Sequence, residues 1–105
     1  MSQKTIMLAC AAGMSTSLLV TKMQQAAEKK GLDVDILAVP VSEVDSYAKD
    51  HPVHVVLLGP QVRFMLKQFE EQFHSENIPV AVIPMTDYGM MNGEKVIELA
   101  EGLMK

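Results

Sequence analysis

The sequence predicts an α/β protein: one domain built on a four-stranded parallel sheet in the order 2-1-3-4, with helices on both faces. Apolar runs typical of strands alternate with segments of helical periodicity, and such alternation requires helical crossovers between parallel strands. The chain has 105 residues, of which 49% are apolar and 21% are charged. This composition is sufficient for one hydrophobic core and argues against intrinsic disorder.

Four strands and four helices are expected along the chain. Strands are predicted at 6–10, 33–38, 55–58 and 78–83, where apolar residues run together or alternate with polar ones. Helices are predicted from apolar stripes around 19–27, from 43 to 49, from 60 to 73 and around 96–104. Gly31 should end the first helix, Ser42 should cap the second, and Pro60 should begin the third. A loop is expected between the last strand and the last helix.

The strand order follows from which strands are apolar on both faces. The first and third strands are almost wholly apolar, as central strands of a parallel sheet must be. The second strand carries Asp33 and Asp35, and the fourth carries Pro79, which are features of edge strands. In the order 2-1-3-4 the connections reverse direction between strands one and three. Ligands of open α/β sheets bind at the carboxyl ends of the strands there, which is where Cys10 lies.

Several classes of protein are excluded by composition. Cys10 is the only cysteine, so neither an internal disulfide nor a four-cysteine zinc site can form. The net charge of -4 and the single arginine, Arg63, argue against nucleic-acid binding. His51, His54 and His74 lack metal-ligand spacing with Cys10, so no metal and no cofactor are expected. No apolar run reaches the ~20 residues that span a bilayer, and the first is too short for a signal peptide, so a cytoplasmic location is expected.

The segment after the first strand has the composition of an anion-binding loop. It consists of Ala11, Ala12, Gly13, Met14, Ser15, Thr16 and Ser17, which are small or hydroxyl-bearing except for Met14. Gly13 allows backbone N–H groups to converge, and the following helix directs its positive end into the loop. The same features favour a thiolate at Cys10 and would hold phosphoryl oxygens around it. We therefore predict that Cys10 attacks phosphorus and becomes a phosphocysteine.

Two other interpretations of this cysteine remain open. A tyrosine-phosphatase loop has the pattern C-x5-R-[ST], and Thr16 occupies its arginine position here, followed by Ser17. Without that arginine, hydrolysis of the bound phosphate should be slow, which favours a phosphoryl carrier over a hydrolase of the low-molecular-weight phosphatase type. The third interpretation is a redox or ligand-binding module with Cys10 as a sensor thiol, although the chain has no second cysteine to resolve it.

The sequence from Cys10 to Val20, together with 55–61 and the pair Tyr88-Gly89, resembles a known family. These motifs are similar to the enzyme IIB components of the lactose/cellobiose/N,N'-diacetylchitobiose class of the bacterial phosphoenolpyruvate-dependent sugar phosphotransferase system. The resemblance extends over residues 1–105 as one IIB domain. It implies a four-stranded parallel sheet similar in shape to low-molecular-weight phosphatases.

The resemblance also implies the partners and the reaction. Cys10 would take phosphate from a phosphohistidine of a IIA protein and pass it to a β-linked disaccharide, cellobiose or chitobiose. The sugar would be carried by the membrane-embedded IIC permease, so the protein would be a phosphotransferase component active only with IIA and IIC. It would associate with the membrane through IIC without inserting into it.

A few residues outside the loop are secondary candidates for the site. Asp87 and Tyr88 follow the fourth strand at the same edge of the sheet as Cys10, where a small phosphatase keeps its general acid. The alternative explanation, which is the simpler one, is that Asp87 is a turn residue that caps local N–H groups. Gln61 could approach the Cys10 loop from strand three, or it could be an ordinary exposed residue of a first helical turn. Met14, Met90 and Met91 are expected to form an apolar docking patch.

Overall fold

The computed structural model describes residues 4–10 and 14–104, with the side chains of 14–17 and 104 left out of the description. Four parallel strands form one sheet: β1 (Lys4–Cys10), β2 (Val34–Pro40), β3 (Val55–Leu58) and β4 (Val80–Val82). Their order is β2-β1-β3-β4, which confirms the predicted topology.

Within residues 4–10 and 14–104, five α-helices and two 3₁₀ turns connect and cover these strands. The helices are α1 (Met14–Lys30), α2 (Val44–Asp50), α3 (Leu66–His74), α4 (Met85–Gly89) and α5 (Gly93–Met104). The 3₁₀ turns are Val41–Glu43 and Pro60–Met65. Within the described ranges, no helix has the length and apolar character required to cross a membrane.

The side chains of β1 alternate between two hydrophobic layers, one on each face of the sheet. Ile6 and Leu8 belong to the layer formed with α1 and α5, and Met7 and Ala9 belong to the layer formed with α2 and α3. The α1/α5 layer is completed by Leu19, Met23, Ala26, Ala27, Val96, Ile97 and Ala100. The α2/α3 layer is completed by Val44, Val62, Phe69 and Phe73. Fully burying a side chain of this size stabilises the fold by about 1.5–3 kcal/mol, so both layers contribute substantially.

Gly31 ends α1 as predicted. It has a φ of +70°, which a residue with a side chain rarely adopts. The Gly31 N–H donates to the Glu28 carbonyl at 3.1 Å, and the Leu32 N–H donates to the Ala27 carbonyl at 2.9 Å. This pair of bonds satisfies the last carbonyls of the helix and directs the chain into β2.

A second glycine sets the distance between α1 and α5. A β-carbon on Gly93 would lie 2.4 Å from the carbonyl carbon of Lys22 and 2.6 Å from its oxygen. Only glycine therefore permits this approach of the α5 N-terminus to the α1 backbone. The contact fixes how the segment after β4 is placed relative to the helix that follows Cys10.

Two details of the predicted helices are wrong. Ser42 does not cap α2: it lies in the first 3₁₀ turn, Glu43 is the N-cap residue, and no side-chain cap hydrogen bond forms. The expected helix from 60 to 73 is interrupted, because Val62 has a φ of -118° and a ψ of 23°. Pro60 does begin this segment, but as a 3₁₀ turn. The α-helix starts only at Leu66.

The end of the fold also differs from the prediction. The fourth strand is shorter than 78–83, since Pro79 has no N–H and only its carbonyl joins the sheet, accepting from the Val56 N–H at 3.0 Å. The expected loop with Asp87, Tyr88 and Gly89 forms the short helix α4. That helix is followed by Met91, which has a left-handed φ of 54°.

Candidate active site at the carboxyl edge of the sheet

Cys10 is the last residue of the central strand β1. It pairs with Pro40 of β2 on one side. On the other side Ala9 pairs with Leu58 of β3, so the parallel register places Gly59 beside Cys10. The chain leaves β1 towards β2 and later returns on the opposite side as β3, which makes this position the topological switch point of the sheet. The structure thus places Cys10 where the sequence predicted it.

The Cys10 side chain is buried, with 3% of its surface exposed. Its Sγ donates a weak hydrogen bond to the Val39 carbonyl, at a distance of 3.7 Å. A thiolate has no proton to donate in this contact. This hydrogen bond is therefore lost when the thiol ionises to act as a nucleophile.

The predicted phosphate-binding loop is described only in part. Ala11, Ala12 and Gly13 lie outside the described residues. The backbone of 14–17 forms the first turn of α1, and the side chains of Met14, Ser15, Thr16 and Ser17 are not described. A 17-residue helix therefore begins four residues after Cys10, and the N–H groups of a first helical turn have no acceptor within the helix itself. The role of this loop stays a prediction.

Three residues from other elements meet next to Cys10. Gly59 follows β3 directly, and its N–H donates to the Ala9 carbonyl at 2.9 Å. A β-carbon at Gly59 would lie 3.1 Å from Gln61 Oε1, 3.6 Å from Tyr88 Cε2 and 3.7 Å from the Ala9 oxygen. The Gln61 carboxamide and the Tyr88 ring thus converge on one point beside the end of β1.

The two secondary candidates of α4 are placed differently. Tyr88 is buried and belongs to the α1/α5 layer, and its ring edge reaches Gly59. Asp87 is half-buried, and its carbonyl accepts from the Asn92 N–H at 2.8 Å, a bond within the connection between α4 and α5. The structure therefore places Tyr88 against Gly59, whereas the described hydrogen bond of Asp87 lies within the local turn.

Exposed apolar side chains are found around the same edge. Phe64 is 80% exposed, Met90 79%, Met85 63% and Leu18 52%. All four lie in segments that follow the carboxyl end of a strand, and we call them the apolar edge patch. Met90 was predicted for this patch, but Met91 instead packs against the α1/α5 layer, and the side chain of Met14 is not described.

Phe64, Met85 and Leu18 were missed by sequence reasoning. For Phe64 a signal was available, because this aromatic residue falls outside the apolar stripe formed by Val62, Met65, Leu66, Phe69 and Phe73. A large apolar residue outside a buried stripe is a candidate contact residue.

The histidines and an open groove lie away from this edge. His54 Nδ1 accepts from the Thr5 N–H, and the His54 N–H donates to the Thr5 carbonyl, both at 2.9 Å, at the start of β1. His51 stacks on Tyr47 with ring centroids 4.3 Å apart. An open groove of about 730 Å³ lies before β4 and includes His74 and Asn77. In the part of the chain that the structure describes, no three His, Cys, Asp or Glu side chains are arranged to hold a metal ion.

The chain is similar to proteins of one family along nearly its whole length. The family described as "PTS system, Lactose/Cellobiose specific IIB subunit" matches residues 5–99. A galactose-specific EIIB component of Lactococcus lactis subsp. cremoris (strain MG1363) is 48% identical over 107 residues, covering 99% of both chains. A cellobiose-specific EIIB component of L. lactis subsp. lactis (strain IL1403) has the same identity and coverage. An oligo-beta-mannoside-specific EIIB component of Bacillus subtilis (strain 168) is 42% identical and covers 96% of both chains.

Solved structures agree with these sequence relationships. The solution structure of a cellobiose-specific IIB component from Borrelia burgdorferi has a TM-score of 0.79 at 39% identity, covering 98% of this chain and 93% of that one. A lactose-specific IIB domain from Streptococcus pneumoniae has a TM-score of 0.87 at 12% identity, covering 99% and 100%. The second likeness concerns the fold alone. Together they confirm the predicted fold class.

Proposed function

The chain belongs to the lactose/cellobiose-specific IIB family of the phosphotransferase system (PTS), and on this premise we propose that it carries phosphate on Cys10 during sugar uptake. Membership of this family implies a phosphotransferase component in general terms. The assignment to Cys10 is supported above all by one observation: the only cysteine of the chain ends the central strand at the switch point of the sheet. A helix N-terminus follows it within four residues.

The proposed reaction consists of two displacements at phosphorus. The Cys10 thiol first loses its proton to solvent, and the thiolate attacks the phosphorus of a phosphohistidine on the IIA protein. The S–P bond forms as the N–P bond breaks, and the electron pair stays on the imidazole nitrogen, which takes a proton. In the second step a sugar hydroxyl attacks the phosphorus, the S–P bond breaks, and the hydroxyl proton passes to solvent. Thiolate is restored at Cys10.

A carrier fits the site better than a phosphatase. Thr16 stands where a phosphatase loop has its arginine, and the single arginine, Arg63, is exposed in the 3₁₀ turn after β3. Without a bidentate cation beside the phosphoryl group, attack by water is poorly assisted. For a carrier this is an advantage, because the phosphate must survive until the sugar arrives.

The partners we propose are a IIA phosphohistidine protein and a membrane IIC permease, with the chain acting on the cytoplasmic side. Both partners must bring a reacting group to the same sulfur, so both must cover the carboxyl edge of the sheet. The apolar edge patch, which includes Phe64 and Met90, supports such docking. For the sugar we propose a β-linked disaccharide, cellobiose or chitobiose. The named relatives differ in their sugar even at equal identity.

Intact-mass spectrometry tests the carrier. The protein is incubated with phosphoenolpyruvate, the general PTS proteins and a IIA protein, alongside Cys10→Ser and Cys10→Ala. We expect one stable phosphoryl adduct on the wild type and none on either variant. An adduct that survives in Cys10→Ala would contradict the assignment, and rapid hydrolysis of an aryl phosphate without partners would indicate a phosphatase instead.

The sugar is tested by the second half of the reaction. Phosphorylated protein is mixed with membranes that contain the IIC permease, and release of the phosphate is followed with cellobiose, chitobiose, lactose and galactose. We expect the adduct to disappear fastest with a β-linked glucose or glucosamine disaccharide. Preference for galactose would overturn the proposed sugar and leave the carrier assignment intact.

A further inference from the structure

Gly59 leaves room for a neighbouring side chain, and its backbone conformation does not call for glycine. Its φ of -65° and ψ of 153° are accessible to any residue. A β-carbon there would nevertheless lie 3.1 Å from Gln61 Oε1, closer than most side-chain contacts, and 3.6 Å from the Tyr88 ring. Because Gly59 lies beside Cys10 in the register of the sheet, the space it leaves open adjoins the end of β1.

Gln61 uses this space. Pro60 begins the 3₁₀ turn and fixes the direction of the chain after β3. Two residues beyond Gly59, the carboxamide of Gln61 folds back over Gly59, where the Ala9 carbonyl oxygen and the edge of the Tyr88 ring also lie close to the β-carbon position. A carboxamide carries two N–H donors and an acceptor, and rotation of the amide can present either end to a ligand.

We propose that Gln61 binds the phosphoryl group of phosphorylated Cys10 by donating a carboxamide hydrogen bond to a phosphoryl oxygen. The proposal rests on the proposed function of Cys10 and extends it to a residue on a different strand. The Gln61 donor belongs to the segment that follows β3, whereas the helix α1 belongs to the segment that follows β1 and Cys10. Tyr88 packs against Gly59 and limits the positions open to the carboxamide.

A neutral donor suits a phosphate that must be released. Hydrogen bonds to a charged group are stronger than those between neutral groups, so a carboxamide still discriminates the phosphorylated state. It supplies less attraction than the bidentate arginine of a phosphatase loop. Gln61 therefore orients the phosphoryl group without making its departure from sulfur costly.

Single-turnover transfer from phosphorylated IIA protein tests the proposal. Gln61→Met keeps the length of the side chain and removes its donors, and Gln61→Glu places a carboxylate beside the phosphate. At saturating IIA we expect transfer to Cys10 to slow about tenfold in Gln61→Met, the loss of one hydrogen bond to a charged group, and further in Gln61→Glu. The ³¹P resonance of the phosphocysteine should shift in both.

Controls separate this role from folding and docking. Gln25→Glu makes the same charge change at an exposed position three turns along α1 and should transfer at the wild-type rate. Gly59→Ala keeps Gln61 but displaces its carboxamide, and should also slow transfer. Thermal unfolding midpoints of the Gln61 variants should match the wild type, since Gln61 is exposed.

The outcomes distinguish this inference from the function on which it rests. Wild-type protein that gains no phosphate on Cys10 overturns the proposed function and this inference with it. Wild-type protein that is phosphorylated, with Gln61→Met and Gln61→Glu within twofold of its rate, overturns only the role of Gln61. A defect that vanishes at saturating IIA also overturns it, because Gln61 would then act in docking.

Discussion

Cys10 ends a strand that is buried on both faces, and yet in the proposed function it is the residue that a partner's phosphorus must reach. The sulfur is 3% exposed and is held by the Val39 carbonyl. Forming the thiolate therefore breaks this hydrogen bond, and the phosphorus must gain access to a sulfur that the structure shows buried. The reactivity of the site depends on access to the sulfur as well as on the thiol itself.

The first prediction concerns the stability of the Cys10 variants. In Cys10→Ser a hydroxyl replaces the buried thiol and can still donate to the Val39 carbonyl, so we expect the free energy of unfolding to fall by about 1–2 kcal/mol. Urea denaturation followed by circular dichroism measures this. A loss of more than about 4 kcal/mol would mean that the serine hydroxyl finds no partner.

The second prediction concerns docking by exposed apolar residues. Phe64→Ala and Met90→Ala should each raise the KM for phosphorylated IIA about 5- to 10-fold, because each removes a large exposed contact of about 1 kcal/mol or more. The rate at saturation should be unchanged. Leu103→Ala, which trims an apolar side chain beside the groove before β4, serves as the control. Equal KM values for all of these proteins would exclude the apolar edge patch as a docking surface.

Whether the place of a single residue in the site was predictable depends on how far apart in sequence its contacts lie. The position of Cys10 at the end of a central strand was predictable because the apolar run before it is continuous in sequence. The contact of Tyr88 with Gly59 joins segments of the chain almost thirty residues apart, and the place of the Gln61 carboxamide beside both residues depends on that contact. Spacing alone therefore left Gln61 with two open interpretations.

The predictions of helices were correct where burial of an apolar stripe determines the helix. They were wrong where local backbone geometry determines how the segment begins. The apolar stripes of α1 and α5 predict both helices and their shared layer. Ser42 was expected to be a cap, but it is the middle residue of the 3₁₀ turn Val41–Glu43, whose N-cap residue is Pro40. The kink at Val62 and the short helix α4 arise from Pro60 and Pro84 at the start of each segment. Apolar periodicity carries no information about such turns.

The third prediction uses two glycines of the same helix. Gly93→Ala would place a β-carbon 2.4 Å from the α1 backbone, so we expect a loss of about 3 kcal/mol or more in unfolding free energy. Gly102→Ala meets nothing within 4 Å and should stabilise α5 by about 0.5–1 kcal/mol. Denaturant titration of both variants measures the difference. Equal effects would show that α5 does not depend on the close approach at Gly93.

Charge adds little to the contact between α1 and α5. Lys30 Nζ lies 2.9 Å from Glu101 Oε1 at the surface, and this hydrogen bond raises the pKa of Lys30. Because the pKa of Lys30 is raised, the stability that this ion pair contributes is fully present at pH values below the ordinary pKa of lysine. It is lost as the pH rises through the pKa of Lys30 in the folded state. Because the pair is partly solvated, the packing at Gly93 should dominate the contact.

At the scale of the whole molecule, one sheet supports two hydrophobic layers. Ile6 and Leu8 contribute to one and Met7 and Ala9 to the other, so the same strand belongs to both cores. If the strands separate, the apolar side chains of both layers become exposed to water. We therefore expect the described fold to unfold as one cooperative unit.

The fourth prediction tests this cooperativity with the two tyrosines. Tyr88 lies in the α1/α5 layer, Tyr47 packs against the α2/α3 layer, and the chain has no tryptophan. In Tyr47→Phe the fluorescence of Tyr88 reports one layer, and in Tyr88→Phe the fluorescence of Tyr47 reports the other. Within each variant, the fluorescence midpoint in urea should coincide with the circular dichroism midpoint. Separate midpoints would show that the layers unfold independently.

The crowding of chemistry and docking onto one edge of the sheet has a kinetic consequence for sugar uptake. If donor and acceptor proteins both cover the surface around Cys10, they compete for the carrier and cannot hold it at the same time. The carrier must then shuttle, leaving one partner before it meets the next, and each complex must be short-lived for flux to be high. Excess unphosphorylated IIA would sequester the carrier and slow uptake, so the ratio of the components becomes a control on transport.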